Sequence, residues 1–415
     1  MADNIQEIEV WFTTGPDKSL SVGTLAIQER RLYFEYSHDW LHQNLELSPF
    51  ILPLKTGLIE HKKREFSPLF GLFDDSLPDG WGLLLMGHYF RNLGRDPLSF
   101  TPLDRLLYLG RCTMGALTYH PPTRRSNADD TILNLHELAS LSQQIYAGDE
   151  VEVLPLLLRA GGSPGGARPK VLVGYNSHDR TIITGEDILP SGYCPWIIKF
   201  SELEDTRDAG PVEYAYSLMA GAAGIIMPET RLFITDEGDS FFGAKRFDRG
   251  PDNRRYHVHT FGNLIQSNFR IPSCDYGDLL KVTSILTRNR TNLLAACRLM
   301  LFNVLTHNRD DHVKNFSFIL DDTTKQWSLS PAYDLTFSYG PGGEHSTTIA
   351  GERRAPAYSD FVKLGKQYDI SKKELKNMIA EITDATERWP EFADNAGVSK
   401  TRTNEIAKHL RRQQG

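Results

Sequence analysis

HisAsnArgAspAspHisValLysAsnPheSerPhe (307–318) is crowded with groups that can move a proton or hold a cation. An apolar stretch of helical period ends just before it, near Leu305, and PheSerPheIleLeu (316–320) resumes with the alternation of a strand. The segment therefore reads as a polar loop between a helix and a strand. Asp310 and Asn315 stand five positions apart in it. A carboxylate at that distance from a carboxamide can accept or orient a hydroxyl while the amide oxygen takes a hard cation. Taken alone, the pattern more often describes a solvated loop whose Asp and Asn cap turns.

Outward from this loop, further groups fall into a series. The Asp310/Asn315 spacing is that of the protein-kinase catalytic loop, and Asp310-x-His312-x-x-Asn315 also resembles that of phosphoinositide kinases. Downstream, SerProAlaTyrAspLeuThr (330–336) places Asp334 beyond a strand pair through Phe318 and Trp327, where it suits a second Mg²⁺ ligand or a turn after Pro331. Upstream, Lys199 ends the apolar strand TrpIleIleLysPhe (196–200), and Glu213 sits early on a helix predicted over 211–224. A strand Lys held by a helix Glu serves nucleotide phosphates in kinases. A snorkelling edge Lys and a first-turn Glu favoured by the helix dipole fit equally well.

The glycine loop 161–166 precedes Arg168 and Lys170, and Gly165 and Gly166 could bring backbone N–H groups close to phosphates. It matches neither common phosphate-loop pattern, so a flexible surface loop is the plainer reading. GlyAlaLysArgPheAspArg (243–249) would form a hinge offering Lys245, backbone donors and Phe247 to a nucleotide. Glycine loop, Lys, Glu, hinge, Asp-x-x-x-x-Asn and late Asp follow the order a bilobal kinase requires.

Length and composition set the frame. The 415 residues suggest two or three domains, and 40% hydrophobic against 24% charged residues excludes a disordered or low-complexity chain. A net charge of −7 offers no general attraction for polyanions. Four cysteines without a CxxC pair predict neither a disulfide framework nor a zinc ribbon. The start, MADNIQEIEV, lacks the basic and apolar runs of a leader, and no stretch is apolar enough to span a bilayer, so a cytoplasmic address without membrane contact is expected.

Strands are predicted through Ile8–Phe12 and Leu32–Tyr36 with a turn at 28–31, and helices near 80–91 and 103–109. A polar, Pro-rich break follows at 119–129. A helix over 132–147 and strands at 171–175, 196–200, 230–235 and 240–247 come next. Helical periods dominate later, at 278–286, 291–304 and 371–387. The expected architecture is α+β and bilobal, with a strand-rich N-terminal half and a mainly helical C-terminal half. Its parts are an N-terminal subdomain (1–125), a nucleotide lobe (126–249) and a helical lobe (250–415).

Together these motifs resemble the HipA-type serine/threonine kinases, toxins of bacterial toxin–antitoxin pairs. SerProGlyGlyAlaArgProLys (163–170) looks like the family's loop, ProTrpIleIleLysPhe (195–200) like its nucleotide-lysine strand, AspAspHisValLysAsnPheSer (310–317) like its catalytic loop, and ProAlaTyrAspLeu (331–335) like its metal-binding segment. LeuProAspGlyTrpGly (77–82), MetGlyAlaLeuThr (114–118) and 342–352 extend the likeness through nearly the whole chain.

The resemblance implies a HipA- or phosphoinositide-kinase-like fold binding ATP and Mg²⁺. It makes Asp310 the catalytic base and Asn315 and Asp334 the Mg²⁺ ligands. Lys199 would contact the ATP phosphates, with Glu213, Gly165, Gly166, Lys170, Lys245, Phe247 and His312 completing the nucleotide site. Ser163 matches the autophosphorylated serine, whose added charge would expel the loop and silence the enzyme. It also implies a HipB-like helix-turn-helix antitoxin, DNA contact only through that partner, and a protein substrate such as an aminoacyl-tRNA synthetase. Two departures are Arg168, where the family commonly has Gln, and ThrPheGlyAsn (260–263), where relatives tend to carry an acidic pair. The alternatives are a catalytically silent scaffold for a DNA-binding antitoxin and a small-molecule or lipid kinase.

Overall fold

Three antiparallel sheets divide the strands between them in the computed structural model, which describes residues 5–63, 65–123, 132–148, 157, 165–185, 188–201, 207–271 and 273–412. The first sheet holds β1 (Gln6–Gly15), β2 (Lys18–Gln28), β3 (Arg31–Tyr36), β4 (Ile59–Glu60) and β5 (Leu117–His120), in the order β4-β3-β2-β1-β5. The predicted turn at 28–31 is present: Gln28 pairs with Arg31, and Glu29 and Arg30 both take positive φ (49° and 63°), as a tight two-residue hairpin demands. Periodicity alone misses β2, because Val22 and Leu25 are both buried across a register shift against β1 and the alternation breaks.

The second sheet, β7-β6-β8-β10-β9, consists of β6 (Lys170–Tyr175), β7 (Ile182–Thr184), β8 (Cys194–Lys199), β9 (Thr230–Ile234) and β10 (Ser240–Lys245). The helix expected from Pro211 spans Ala209–Ala222 and so starts two residues earlier, with Pro211 still in the first turn where its missing N–H is harmless. The C-terminal half contains helices Tyr276–Thr287, Arg290–Leu305, Tyr358–Gln367, Lys372–Glu387, Trp389–Asn395 and Lys400–Arg412. Among them lies a small sheet, β11 (His257–Thr260), β12 (Ser317–Asp321) and β13 (Gln326–Leu329), in the order β11-β12-β13. All four cysteines are free thiols, and among the described residues no helix is long and apolar enough to cross a membrane.

The packing sets where a cleft can open. One apolar core runs without interruption from the first sheet (Val10, Leu25, Phe34) through helix Ala209–Ala222 into the C-terminal helices (Met300, Ile382, Trp389). The second sheet has a core of its own, closed by Trp81 and Leu85 of helix Gly80–Asn92 and by helix Leu135–Ala147. Helix Ala209–Ala222 belongs to the larger core, where Tyr216 meets Trp389 edge to face at 5.4 Å and donates its hydroxyl to the Thr306 carbonyl at 2.7 Å. The same helix also packs on β9 and β10, with Ser217 Oγ 2.8 Å from Thr230 Oγ1, so it bridges the larger core and the second sheet.

A buried polar hub fixes the chain where it leaves β10. Asp248 is fully buried and accepts from Arg246 Nη2, Arg249 Nη1 and the Gly115 N–H at 2.7, 2.7 and 2.8 Å. Arg255, also buried, donates to the Gly115 and Arg111 carbonyls, tying MetGlyAlaLeuThr (114–118) to the hinge. Burial would raise the Asp248 carboxyl, but the two guanidiniums outweigh it and hold it well below the usual carboxylate range. Asp248→Ala should lower stability by about 3–5 kcal/mol, because Arg246 is left buried without its carboxylate. Urea unfolding measures this, and a loss under about 1 kcal/mol would mean the hub is solvated.

Candidate active site

Strand register brings the first groups together. Lys170 on β6 and Lys199 on β8 are directly opposite each other, so both ammoniums leave the same face of the sheet. Opposed like charges in a buried setting need anions between them. Lys199 Nζ donates to Glu213 Oε1 at 2.5 Å from the adjoining helix and to Asp334 Oδ1 from the other lobe. Burial would lower the Lys199 ammonium, but Asp334 and Glu213 more than reverse this and hold its pKa above the ordinary lysine value. Burial and the neighbouring Lys199 push Lys170 down instead. Lys170 is 4% exposed and donates to the Gly165 carbonyl at 2.5 Å, against the Gly165–Gly166 turn.

Asp334 crosses from the C-terminal half. It takes φ +58° just after ProAlaTyr, which turns its carboxylate back toward the second sheet. Partial withdrawal from water would raise this half-exposed carboxyl, but Lys199 and Lys170 dominate and depress it well below the usual range. The neighbouring Tyr333 hydroxyl donates to the Lys314 carbonyl at 2.7 Å, binding this segment to the loop that carries Asp310. Phe247 lies 5.6 Å from the Tyr333 ring, so the hinge aromatic reaches the same cleft.

The Asp310 loop is held from behind. Asn315 Nδ2 donates to the Asp310 carbonyl at 2.7 Å, which fixes the carboxamide and leaves Oδ1 as its acceptor. Asp311 is wholly buried and accepts from Tyr276 Oη and His345 Nδ1 at 2.8 Å each, and from the Ser346 N–H at 2.8 Å. That network leaves the Asp310 side chain exposed at the cleft. Partial withdrawal from water raises the Asp310 carboxyl above its ordinary value. His312 and Arg168 oppose the rise, while Asp334 and Asp311 add to it. His312 packs 5.5 Å from the Phe269 ring, and its buried Nδ1 has no hydrogen-bond partner among the described residues.

The structure thus gathers Lys170, Lys199, Glu213, Asp334, Asp310, Asn315 and His312 around one cleft, with Gly165 and Gly166 at its rim. Arg168 Nη1 stands 4.0 Å from Glu213 Oε2, within the same field. Lys245 pairs with Glu229 at 3.4 Å and, opposite Trp196 in the register, lies on the other face of the sheet from Lys199. Ser163 and residues 161, 162 and 164 lie outside the described residues.

Pattern reading passed over Asp79, Lys314 and the Asp311–Tyr276–His345 network. The one signal for Asp79 was its place in LeuProAspGlyTrpGly (77–82). ThrPheGlyAsn (260–263) docks on an acidic pair elsewhere in the chain: Asn263 Nδ2 donates to Asp74 and Asp75 at 3.0 and 2.7 Å.

A divalent cation fits this donor set. Among the described residues no group of three or more His, Cys, Asp or Glu side chains is close enough to make a metal cage. Mg²⁺ asks for less, usually one or two protein oxygens with phosphates and water completing the shell. The Asp334 carboxylate and Asn315 Oδ1 supply two such oxygens.

A family model described as the HipA-like C-terminal domain matches residues 162–410, and one described as the HipA N-terminal domain matches 17–120. A curated protein of Sinorhizobium fredii named "Putative kinase Y4dM" is 28% identical over 203 residues, covering 45% of this chain and 46% of that protein. The chain thus matches about half the length of that relative. Among solved structures, the Shewanella oneidensis complex of HipA, HipB and operator DNA includes a chain matching 98% of this one. That match covers 95% of the Shewanella chain, with a TM-score of 0.69 and 17% identity. At that identity the likeness speaks to the fold.

Proposed function

The chain belongs to the HipA family, and from that premise we propose that it is an ATP- and Mg²⁺-dependent serine/threonine protein kinase, the toxin of a toxin–antitoxin pair. The observation that carries this reading is Lys199, bonded at once to Glu213 and across the cleft to Asp334, with the Asp310–Asn315 loop beside it. Lys199 and Lys170 supply positive charge to the α- and β-phosphates, and Glu213 keeps Lys199 aimed. Mg²⁺, held by Asp334 and Asn315, would neutralise charge on the transferring phosphoryl oxygens. Asp310 orients the incoming hydroxyl and receives its proton, for which its raised pKa makes it a better acceptor than an ordinary carboxylate.

The hydroxyl belongs to a protein serine or threonine, with an aminoacyl-tRNA synthetase as the substrate suggested by the family likeness, and Ser163 as the site of self-modification. A HipB-like helix-turn-helix protein is the proposed antitoxin, and the net charge of −7 favours DNA contact through that partner.

Mg·ATP should raise the melting temperature in a concentration-dependent way, by an added stability of about 2.7 kcal/mol at a hundredfold excess over Kd. Incubated with Mg·ATP, the purified protein should gain one phosphate by intact mass, and Ser163→Ala should gain none. Nucleotide binding without any gain of phosphate on this chain or on added protein would reduce the molecule to a kinase-shaped scaffold.

A further inference from the structure

Asp79 belongs to the N-terminal half, at the start of helix Gly80–Asn92, yet its carboxylate meets groups from both sides of the cleft. The Gly166 N–H donates to Oδ1. Gly165 lies so close that a Cβ there would come within 3.2 Å of the same oxygen. Lys314, one residue before Asn315, places Nζ 3.6 Å from Oδ2. Asp79 is only 9% exposed, so these contacts are made largely out of water.

The residues after it press on the same loop. Gly80 takes φ +40°, and a Cβ there would stand 2.6 Å from Ala167 Cα and 2.7 Å from the Gly166 carbonyl, so glycine alone allows this approach. The Trp81 indole donates to the Lys170 carbonyl at 3.0 Å, and its backbone N–H to the Gly166 carbonyl at 3.3 Å. Lys314 is steadied in turn by Asp74 at 3.6 Å and by the Phe269 ring at 4.8 Å.

We propose that Asp79 is a positioning residue for the nucleotide reaction: it orders the Gly165–Gly166 turn and, through Lys314, ties that turn to the Asp310–Asn315 loop. The N-terminal half is then a working part of the active site. Two adjacent glycines lose more conformational freedom on ordering than other residues, and a carboxylate that orders them beforehand removes that cost from nucleotide binding. The tie to Lys314 sets the glycine turn and the metal-binding Asn315 from one shared carboxylate. This inference rests on the kinase reading above.

The test compares the full-length wild type with Asp79→Asn, Asp79→Ala, Lys314→Met and the Asp79→Asn/Lys314→Met pair. Calorimetric titration with Mg·ATP gives Kd, and autophosphorylation at saturating nucleotide gives the rate. Asp79→Ala removes the acceptor for Gly166 and the partner of Lys314, and should raise Kd about tenfold, the worth of one charge-assisted hydrogen bond. Asp79→Asn keeps an acceptor for Gly166, so its Kd should rise about threefold or less while its rate falls with that of Lys314→Met. The double variant should be no slower than the worse single one, because both changes cut the same tie.

A purely structural Asp79 would lower the melting temperature and leave Kd and rate unchanged below it. Wild-type binding in Asp79→Ala would overturn the proposal while leaving the kinase reading intact. Should Asp79→Ala fail to fold, the isosteric Asp79→Asn and the Lys314→Met cycle decide, and additive losses there reject the tie. A wild type that binds no nucleotide takes both readings down together.

Discussion

Asp310→Asn should bind Mg·ATP with wild-type affinity and transfer phosphate about 10²–10⁴-fold more slowly. The amide keeps the size and the hydrogen-bonding face of the carboxylate but cannot take the hydroxyl proton. Nucleotide binding survives because Lys199, Lys170 and Asp334 are untouched and the Asp310 backbone carbonyl still holds Asn315. The acid limb of the wild-type rate profile should lie above the ordinary carboxylate value, since withdrawal from water raises this group and the base must be ionised to act. The same shift fixes the sign of the stability change. A carboxyl whose folded pKa exceeds its unfolded value favours the folded state only at low pH, and that contribution is lost as the pH rises through the folded value. At neutral pH the Asp310 charge therefore opposes folding only weakly, because water at the cleft screens it, and Asp310→Asn should melt at or slightly above the wild-type temperature, with the gap closing in acid. A variant that is slow and also melts lower would mark Asp310 as a structural residue.

Much of this site was legible in the sequence because its members fall at the ends of regular elements. Lys199 closes an apolar strand, Asp310 and Asn315 follow a helix, and Asp334 follows a proline turn, so each departs visibly from the hydrophobic period of its neighbours. Other features are visible only in three dimensions. The Asp311–Tyr276–His345 network joins residues from three separate segments, and nothing local distinguishes Tyr276, the first residue of its helix, from a core aromatic. Asp79 directly precedes helix Gly80–Asn92, yet its side chain makes no capping bond and reaches Gly166 instead. Strand β2 was lost for a simpler reason, the register shift that puts Val22 and Leu25 out of alternation.

Helix Ala209–Ala222 belongs to the larger core and also packs on β9 and β10, so the backbone itself places Glu213 beside the strand that carries Lys199. Asp334 stands between Ala332 and Leu335 of the larger core, and its bond to Lys199 is the contact that spans the cleft. That bond is where a nucleotide would compete: phosphate and metal can each claim one partner of the Lys199–Asp334 pair.

Lys199→Met puts that bond to its hardest test. The change should abolish detectable phosphoryl transfer and weaken Mg·ATP binding about 10- to 100-fold, the loss of a charged hydrogen bond to phosphate. It should also destabilise the protein by up to about 3–5 kcal/mol, and the source can be assigned. The Asp334 side chain is 40% exposed, so water screens it and it contributes little once Lys199 is gone. Glu213 is 4% exposed, and Arg168 Nη1 at 4.0 Å is too far to replace the lost hydrogen bond, so the penalty falls on a nearly buried carboxylate. Adding Glu213→Gln to Lys199→Met removes that charge and should restore most of the stability lost, read from the urea midpoint, while nucleotide binding stays weak. Stability and binding recovering together would mean that Lys199 serves the fold alone, and the phosphate-binding role assigned to it would be wrong.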